Sequence, residues 1–203
     1  YTVARDAVDH ELHRLNMAIQ ELAEELEQNR DSIAGELGEG YGEIFEAHLQ
    51  ILNGFKLRSD LEQLVQEKAY SPEHAVNVTF NRYARVFQDS GNPHMAERAN
   101  DMFDLEKQLL RRLLGREREE LSDLKTPVLV LASNLTPSET AHLNREFVLG
   151  FVTEEGGSTS HTAIVASALE IPAIVGTGPF LSNVSGGDSV IIDGDAGVVI
   201  IDP

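Results

Sequence analysis

No cysteine occurs among the 203 residues, which excludes disulfides, cysteine-ligated zinc and a thiol nucleophile. Also missing is any apolar run near the ~20 residues that cross a bilayer. The opening residues, Tyr1 to Asp6, lack a basic-then-apolar signal pattern. A soluble cytoplasmic protein is the expectation. Basic residues are scarce: 16 Lys and Arg against 34 Asp and Glu leave a formal net charge of −18. Nucleic-acid binding needs a basic stripe that releases counterions, so a nucleic acid is excluded as partner. The acidic surface either solvates the chain or steers a basic protein toward it. Internal repeats and low-complexity tracts are absent too. What remains is globular in composition, with 41% hydrophobic and 25% charged residues over a length suited to one domain or two small ones.

The first 125 residues read as helices. Leu12, Leu15, Ile19, Leu22 and Leu26 recur at spacings of three and four, drawing one apolar stripe along a helix from Asp9 to Gln28 that wants a partner helix. Gly38 and Gly40 are expected to break the pattern before a helix over Glu43 to Leu52, closed by Asn53-Gly54. A third helix is predicted over Lys56 to Glu67. Ser71-Pro72-Glu73 supplies a cap, a first-turn proline and an early acid for a helix reaching Phe87. Asp89 to Pro93 is a turn. From His94 to Leu114, Met95, Ala99, Met102, Leu109 and Leu113 form a second long stripe, ended by Gly115 and suited to pair with the first.

At Pro127 the texture changes to short apolar runs punctuated by glycine, the alternation of an α/β domain. Strands are predicted over Val128 to Leu131, Phe147 to Val152, Ala173 to Val175, Ser189 to Ile192 and Val198 to Ile201. Helices are predicted over Ser138 to Leu143 and His161 to Leu169. The fold class expected is therefore α plus α/β: a helical bundle subdomain beside an α/β subdomain. The division is a joining segment over 1–10, helices over 11–120 and the α/β part over 121–203.

Without cysteine, the nucleophile candidates are His, Ser, Thr, Lys or a carboxylate. His10 and His13 stand three apart on a helix with no third metal ligand in view. His48 sits among apolar positions, where a hydrogen-bonded, half-buried imidazole is the default. His74, His94 and His142 read as surface or cap residues. His161 is different, because it follows Gly156-Gly157-Ser158-Thr159-Ser160 and precedes Thr162-Ala163-Ile164-Val165-Ala166, where a glycine-rich loop turns into a helix. Free backbone N–H groups and the positive helix end favour an anion there, and glycines let the backbone approach it closely. The same field disfavours imidazolium, so this histidine is expected to be neutral and nucleophilic near pH 7.

The string from Gly156 to Ala166, followed by Leu169-Glu-Ile-Pro172-Ala-Ile-Val-Gly176-Thr, resembles the phosphohistidine segment of the phosphoenolpyruvate-utilising enzymes. Asn134 to Ala141, Glu43 to His48 and Glu97-Arg98-Ala99 leading to Gly115 are similar to the Enzyme I branch, the phosphotransferases of the bacterial phosphoenolpyruvate:sugar phosphotransferase system. The resemblance spans nearly the whole chain. It implies a swivelling α/β subdomain that carries a phosphohistidine and a helical subdomain that docks the small carrier HPr. Carried over by motif, His161 would accept the phosphoryl group through Nε2. Thr140 would hydrogen-bond that histidine and orient it. Gly156, Gly157, Ser158, Thr159 and Ser160 would shape the phosphate loop. Glu39, Glu46, His48, Gln50, Ile51, Leu57 and Arg98 match the HPr-docking surface.

Three departures stand out. Position 158, usually basic in the family, is Ser158, which removes a charge-assisted phosphate contact. Lys56 stands where the family tends to be acidic, and Gly40 and Tyr41 interrupt a charged stretch. The resemblance further implies N-terminal strands and a phosphoenolpyruvate-binding barrel lying outside this chain, with the Mg²⁺ site and the homodimer interface on that barrel. The chain itself is then expected to bind no cofactor, to be a monomer and to use no phosphoenolpyruvate alone. Two alternatives stay open: the swivelling domain of a phosphoenolpyruvate synthase or pyruvate phosphate dikinase, and a docking regulator without catalysis.

Overall fold

In the computed structural model the first apolar stripe becomes the buried face of α1 (Val8–Leu37), with Leu15, Ile19, Leu22 and Leu26 shut from solvent. The structure describes residues 1–115, 121, 124–157 and 160–203, the side chains of 93, 94, 96 and 97 excepted. α1 runs past the expected end at Gln28 because Asn29 and Ile33 extend the same buried face. It stops where Gly38 takes a φ of +108°, a left-handed value that ends a helix without a Cβ clash. Gly40 breaks nothing; it lies inside α2 (Glu39–Leu52).

α3 (Phe55–Lys68) follows directly and closes on Ala69 in the left-handed region. α4 (Pro72–Gln88) opens as expected, the Ser71 Oγ accepting the His74 N–H at 3.3 Å. α5 (Pro93–Leu113) buries Ala99, Met102, Leu105, Leu109 and Leu113, but Met95 is 44% exposed. The second stripe thus begins one turn later than its sequence pattern.

α3 packs on α4 and α4 on α5. Arg14 of α1 donates to Glu11, to Glu73 at the start of α4 and, at 3.0 Å, to the Leu113 carbonyl at the end of α5. Arg112 pairs with Glu25, so the C-terminal end of α5 meets α1. The buried Asp60 joins α3 to α4, accepting from Lys56 at 2.6 Å, the Tyr83 hydroxyl at 3.1 Å and Arg82. Burial alone would push its carboxyl up, yet these donors hold it below the usual carboxylate range. At the chain start, Val3 N–H donates to Ala69 and Ser71 N–H to Tyr1, so the first residues pair with the α3–α4 connection.

The α/β part is a parallel sheet of β1 (Val128–Ala132), β2 (Val148–Thr153) and β3 (Ala173–Ile174), in that order. α6 (Pro137–Ala141) and α7 (His161–Leu169) are the crossovers. Leu135, Leu143, Val148, Phe151 and Ala166 form its core. β4 (Val190–Asp193) and β5 (Val198–Ile201) make an antiparallel hairpin, whose turn is tied by the Asp193 carboxylate accepting the N–H groups of Asp195 and Ala196.

The chain divides into two compact units, Tyr1–Asp31 with Gly42–Arg118 and Ser32–Tyr41 with Glu119–Pro203. Residues 32–41, counted with the helices in the sequence reading, group with the sheet. Arg145, in the loop before β2, reaches Glu36 at 3.1 Å.

Candidate functional site

The loop from β2 to α7 is anchored at its stem. The Glu154 N–H donates to the Ala132 carbonyl and the Glu155 N–H to that of Ser133, prolonging the pairing with β1. From the other side, the N–H groups of Gly176, Thr177 and Gly178 donate to the carbonyls of Glu155, Thr153 and Glu154. The Glu154 carboxylate adds a third tie, accepting the N–H groups of Leu181 at 2.9 Å and Phe180 at 2.8 Å, which hold it below the usual range. Backbone approaches backbone so closely that a Cβ on Gly176 would stand 2.5 Å from the Gly156 carbonyl oxygen. Only glycine fits there.

Beyond the stem the chain turns at Gly156, the Ser160 N–H donating to the Gly157 carbonyl at 2.9 Å. Ser160 caps α7, its Oγ accepting the Ala163 N–H at 3.3 Å. His161 is the first residue of the helix and is half-buried. The structure thus places a histidine at a helix N-terminus directly after the glycine loop, an arrangement that favours an anion. The Thr162 Oγ lies 3.2 Å from the His161 Nε2 and donates to the Leu135 carbonyl at 3.2 Å. Thr140, 2% exposed on α6, donates its hydroxyl proton to the Pro137 carbonyl at 2.7 Å, and α6 packs on α7. Ser158 and Thr159 lie outside the described residues.

The residues matched to a docking surface fare unequally. Gln50 and Arg98 are exposed, Glu46 and Ile51 partly so; Glu39 is exposed and falls in the second unit. Two expectations are corrected. Leu57 is in the helical core, and His48 is 1% exposed rather than half-buried. The His48 Nε2 meets the Asp101 carboxylate at 3.1 Å, and Asp101 also accepts from Arg98 at 3.4 Å. His48 is interior because the face of α2 that carries it with Leu49 and Leu52 turns inward, and Leu57 because it shares the buried face of α3 with Leu61 and Val65. Nearby, burial pushes the Asp104 carboxyl up to about 6.

Three participants escaped the sequence reading. Phe55 is 87% exposed at the head of α3, where with Asn53, Arg58, Ser59 and Glu62 it lines a pocket of about 480 Å³. A large apolar residue directly after a helix-stopping Asn-Gly pair was the available signal. Thr162 and Glu154 carried none, since each acts through a partner more than twenty positions away. Among the described residues no three His, Asp or Glu side chains converge to hold a metal ion, and no helix is long and apolar enough to cross a membrane.

Residues 1–98 match the family described as PEP-utilising enzyme, N-terminal, and residues 124–197 match PEP-utilising enzyme, mobile domain. An NMR solution structure of Enzyme I is 38% identical, with a TM-score of 0.80 over 100% of this chain and 82% of that one. The chain belongs to the Enzyme I family. Phosphoenolpyruvate-protein phosphotransferases of Priestia megaterium and Listeria monocytogenes are 40% and 42% identical over 196 residues. Each comparison covers 97% of this chain and 34% of that protein, so the chain spans about a third of the length of the curated relatives it matches. A structure described as the N-terminal domain of Enzyme 1 - Nitrogen is 26% identical with a TM-score of 0.70. A helical bundle joined to a small α/β sheet is the Enzyme I N-terminal fold.

Proposed function

We propose that this chain is the phosphotransfer part of a phosphoenolpyruvate-protein phosphotransferase, working in the cytoplasm: it carries phosphate on His161 and passes it to HPr or an HPr-like carrier. The observation that carries this reading is His161 at the N-terminus of α7, directly after the clamped glycine loop. The phosphoryl group would come from phosphoenolpyruvate bound, with Mg²⁺, on a barrel domain outside these residues. In each transfer the Nε2 lone pair attacks phosphorus in line. The new N–P bond forms as the bond to the donor atom breaks, and the electron pair leaves with that atom. The leading N–H groups of α7 and the loop, with the Ser160 cap, stabilise the three equatorial oxygens.

Thr140 is proposed to orient the ring. With its proton on the Pro137 carbonyl, its lone pairs remain to accept an imidazole N–H. Gly156 and Gly157 are proposed to shape the loop, and a serine in place of a basic residue at 158 leaves more of the phosphate's charge to the N–H groups. For docking, the exposed members of the matched set, Glu39, Glu46, Gln50, Ile51 and Arg98, are proposed to receive the carrier, while His48 and Leu57 support the face from beneath. An apolar anchor beside acidic side chains suits a basic partner, and the net charge of −18 speeds its approach. The helical part matches the N-terminal family over residues 1–98, which favours this reading over a synthase or dikinase swivelling domain.

Mixing the chain with phosphorylated HPr tests the proposal. Acid-labile phosphate should appear on the chain by intact mass and as a phosphohistidine signal by ³¹P NMR, and His161→Ala should abolish it. Labelling that survives in His161→Ala would sink the assignment.

A further inference from the structure

Phe55 opens α3 and is almost fully exposed. A single apolar side chain on a surface is ordinary; the surroundings set this one apart. It falls between Ile51 and Leu57, both matched to the docking surface, and stands beside the pocket lined by Asn53, Arg58, Ser59 and Glu62. The corner that presents it is fixed. The Gly54 N–H donates to the Ile51 carbonyl and the Arg58 N–H to that of Gly54, each at 3.1 Å. The Arg58 guanidinium donates to the Leu52 carbonyl at 3.3 Å and to the Asn53 side-chain oxygen at 2.9 Å. An aromatic side chain on such a support loses little freedom when a partner covers it. The charge around Phe55 is the reverse of the chain's. α3 has no acid in its first turn. Lys56 is 78% exposed and Arg82 of α4 is 54% exposed, whereas the Asp60 that accepts from both is buried. One carboxylate against two cations leaves a positive excess, and Arg58 and Glu62 balance each other at the pocket. On a chain of net charge −18 this corner repels a basic surface and draws in a carboxylate.

We infer that Phe55 and Lys56 select the carrier: the protein that docks here offers an apolar hollow to Phe55 and a carboxylate to Lys56, in place of a uniformly basic face. The inference rests on carrier docking as proposed above and names the chemistry of the partner. Glu46 on α2 still suits a basic group, so the partner's face is mixed, basic toward α2 and acidic toward the head of α3. Phe55 supplies apolar area that docking removes from water, the part that aromatic anchors play at interfaces. Lys56 discriminates. A carrier that is basic throughout meets a like charge at this corner, and a repulsive contact of that kind separates related partners more sharply than a lost attraction. Because Lys56 stands where the family tends to be acidic, the corner makes this chain selective against carriers fitted to the usual acidic face.

Calorimetric titration of the 203-residue chain with HPr from the same organism tests this. Phe55→Ala should raise the Kd roughly 10- to 100-fold. Lys56→Glu should raise it roughly 3- to 10-fold, and more at low salt than at high salt. Reversing the exposed acids of HPr to lysine one at a time should uncover one that restores binding to Lys56→Glu. Circular dichroism and thermal melting report the fold; should Lys56→Glu melt early by crowding Asp60, Lys56→Gln takes its place, with a smaller loss in the same direction. Binding by Phe55→Ala within about twofold of wild type overturns the inference. So does tighter binding by Lys56→Glu, which would make the carrier basic at this corner, and so does the lack of any restoring reversal. Wild type that neither binds HPr nor takes phosphate from its phosphorylated form fails the carrier reading, and this inference with it. Wild type that takes phosphate while Phe55→Ala binds equally well removes the inference alone.

Discussion

In the helical unit a histidine is sealed in; in the α/β unit a histidine is left within reach. His48 lies on the buried face of α2 with its Nε2 against the Asp101 carboxylate, and the buried Asp104 is nearby. His161 has a glycine loop before it, a helix dipole behind it and solvent at one side. The same side chain is thus a structural pin in one unit and the proposed phosphoryl acceptor in the other. What separates the two roles is position in the element: His48 is mid-helix on the buried face, His161 is at a helix start on a loop that three ties immobilise. A reactive group needs a rigid support and an open approach, and only the second unit supplies both.

The contrast can be broken most severely at the histidines. His161→Ala should remove phosphoryl uptake altogether, while His48→Gln should leave the labelled histidine in place and lower only stability, as intact mass and thermal melting would show. If His48→Gln abolished labelling of a folded chain, the two roles would not be separable. Next in size are the cores. Phe80 in α4 and Phe151 in β2 are fully shut from solvent, and replacing either by alanine should cost about 3–5 kcal/mol in urea unfolding. Phe151→Ala should also slow labelling, because β2 leads straight into the loop; Phe80→Ala should not.

Asp104 sharpens the comparison through pH. Burial raises its carboxyl from 3.8 unfolded to about 6 folded. Between those values the folded chain holds a proton that the unfolded chain has lost, so stability falls as pH rises from about 4 to about 6 and stays reduced above that. Asp104→Asn should flatten this slope and stabilise the protein at pH 7.5 by about 1–3 kcal/mol, read by denaturant midpoints at pH 4.5 and 7.5. A variant no more stable at pH 7.5 would mean that burial does not destabilise the Asp104 carboxylate. The smallest effect is expected at the α4 cap, where Ser71→Ala should cost about 1 kcal/mol.

Much of the helical half was legible in the sequence because a buried helix face writes itself every three or four residues, as Leu15 to Leu26 do. Gly40 was misread because glycine weakens a helix without ending it; the ending at Gly38 comes from its positive φ, which the letter alone does not encode. The exposure of Phe55 and the full burial of His48 and Leu57 were illegible for a related reason. Hydrophobic and polar letters report preference, whereas burial is decided by which face of α2 and α3 the neighbouring helices cover. At the site, His161 was legible because its loop, cap and helix are contiguous. Thr162 and Glu154 were not, since their partners Leu135 and Phe180–Leu181 are brought in by the sheet.

Gly156 and Gly176 are twenty positions apart and meet at van der Waals range. The stretch between them, with α7 and the short β3, is therefore a ring of fixed circumference. Residues within it can be exchanged so long as each fits, but one residue added or removed cannot be absorbed without parting that junction and swinging the start of α7. In a library of variants this part of the gene should accept substitutions away from the glycine loop, Ser160, His161 and Gly176, and few single-codon insertions or deletions.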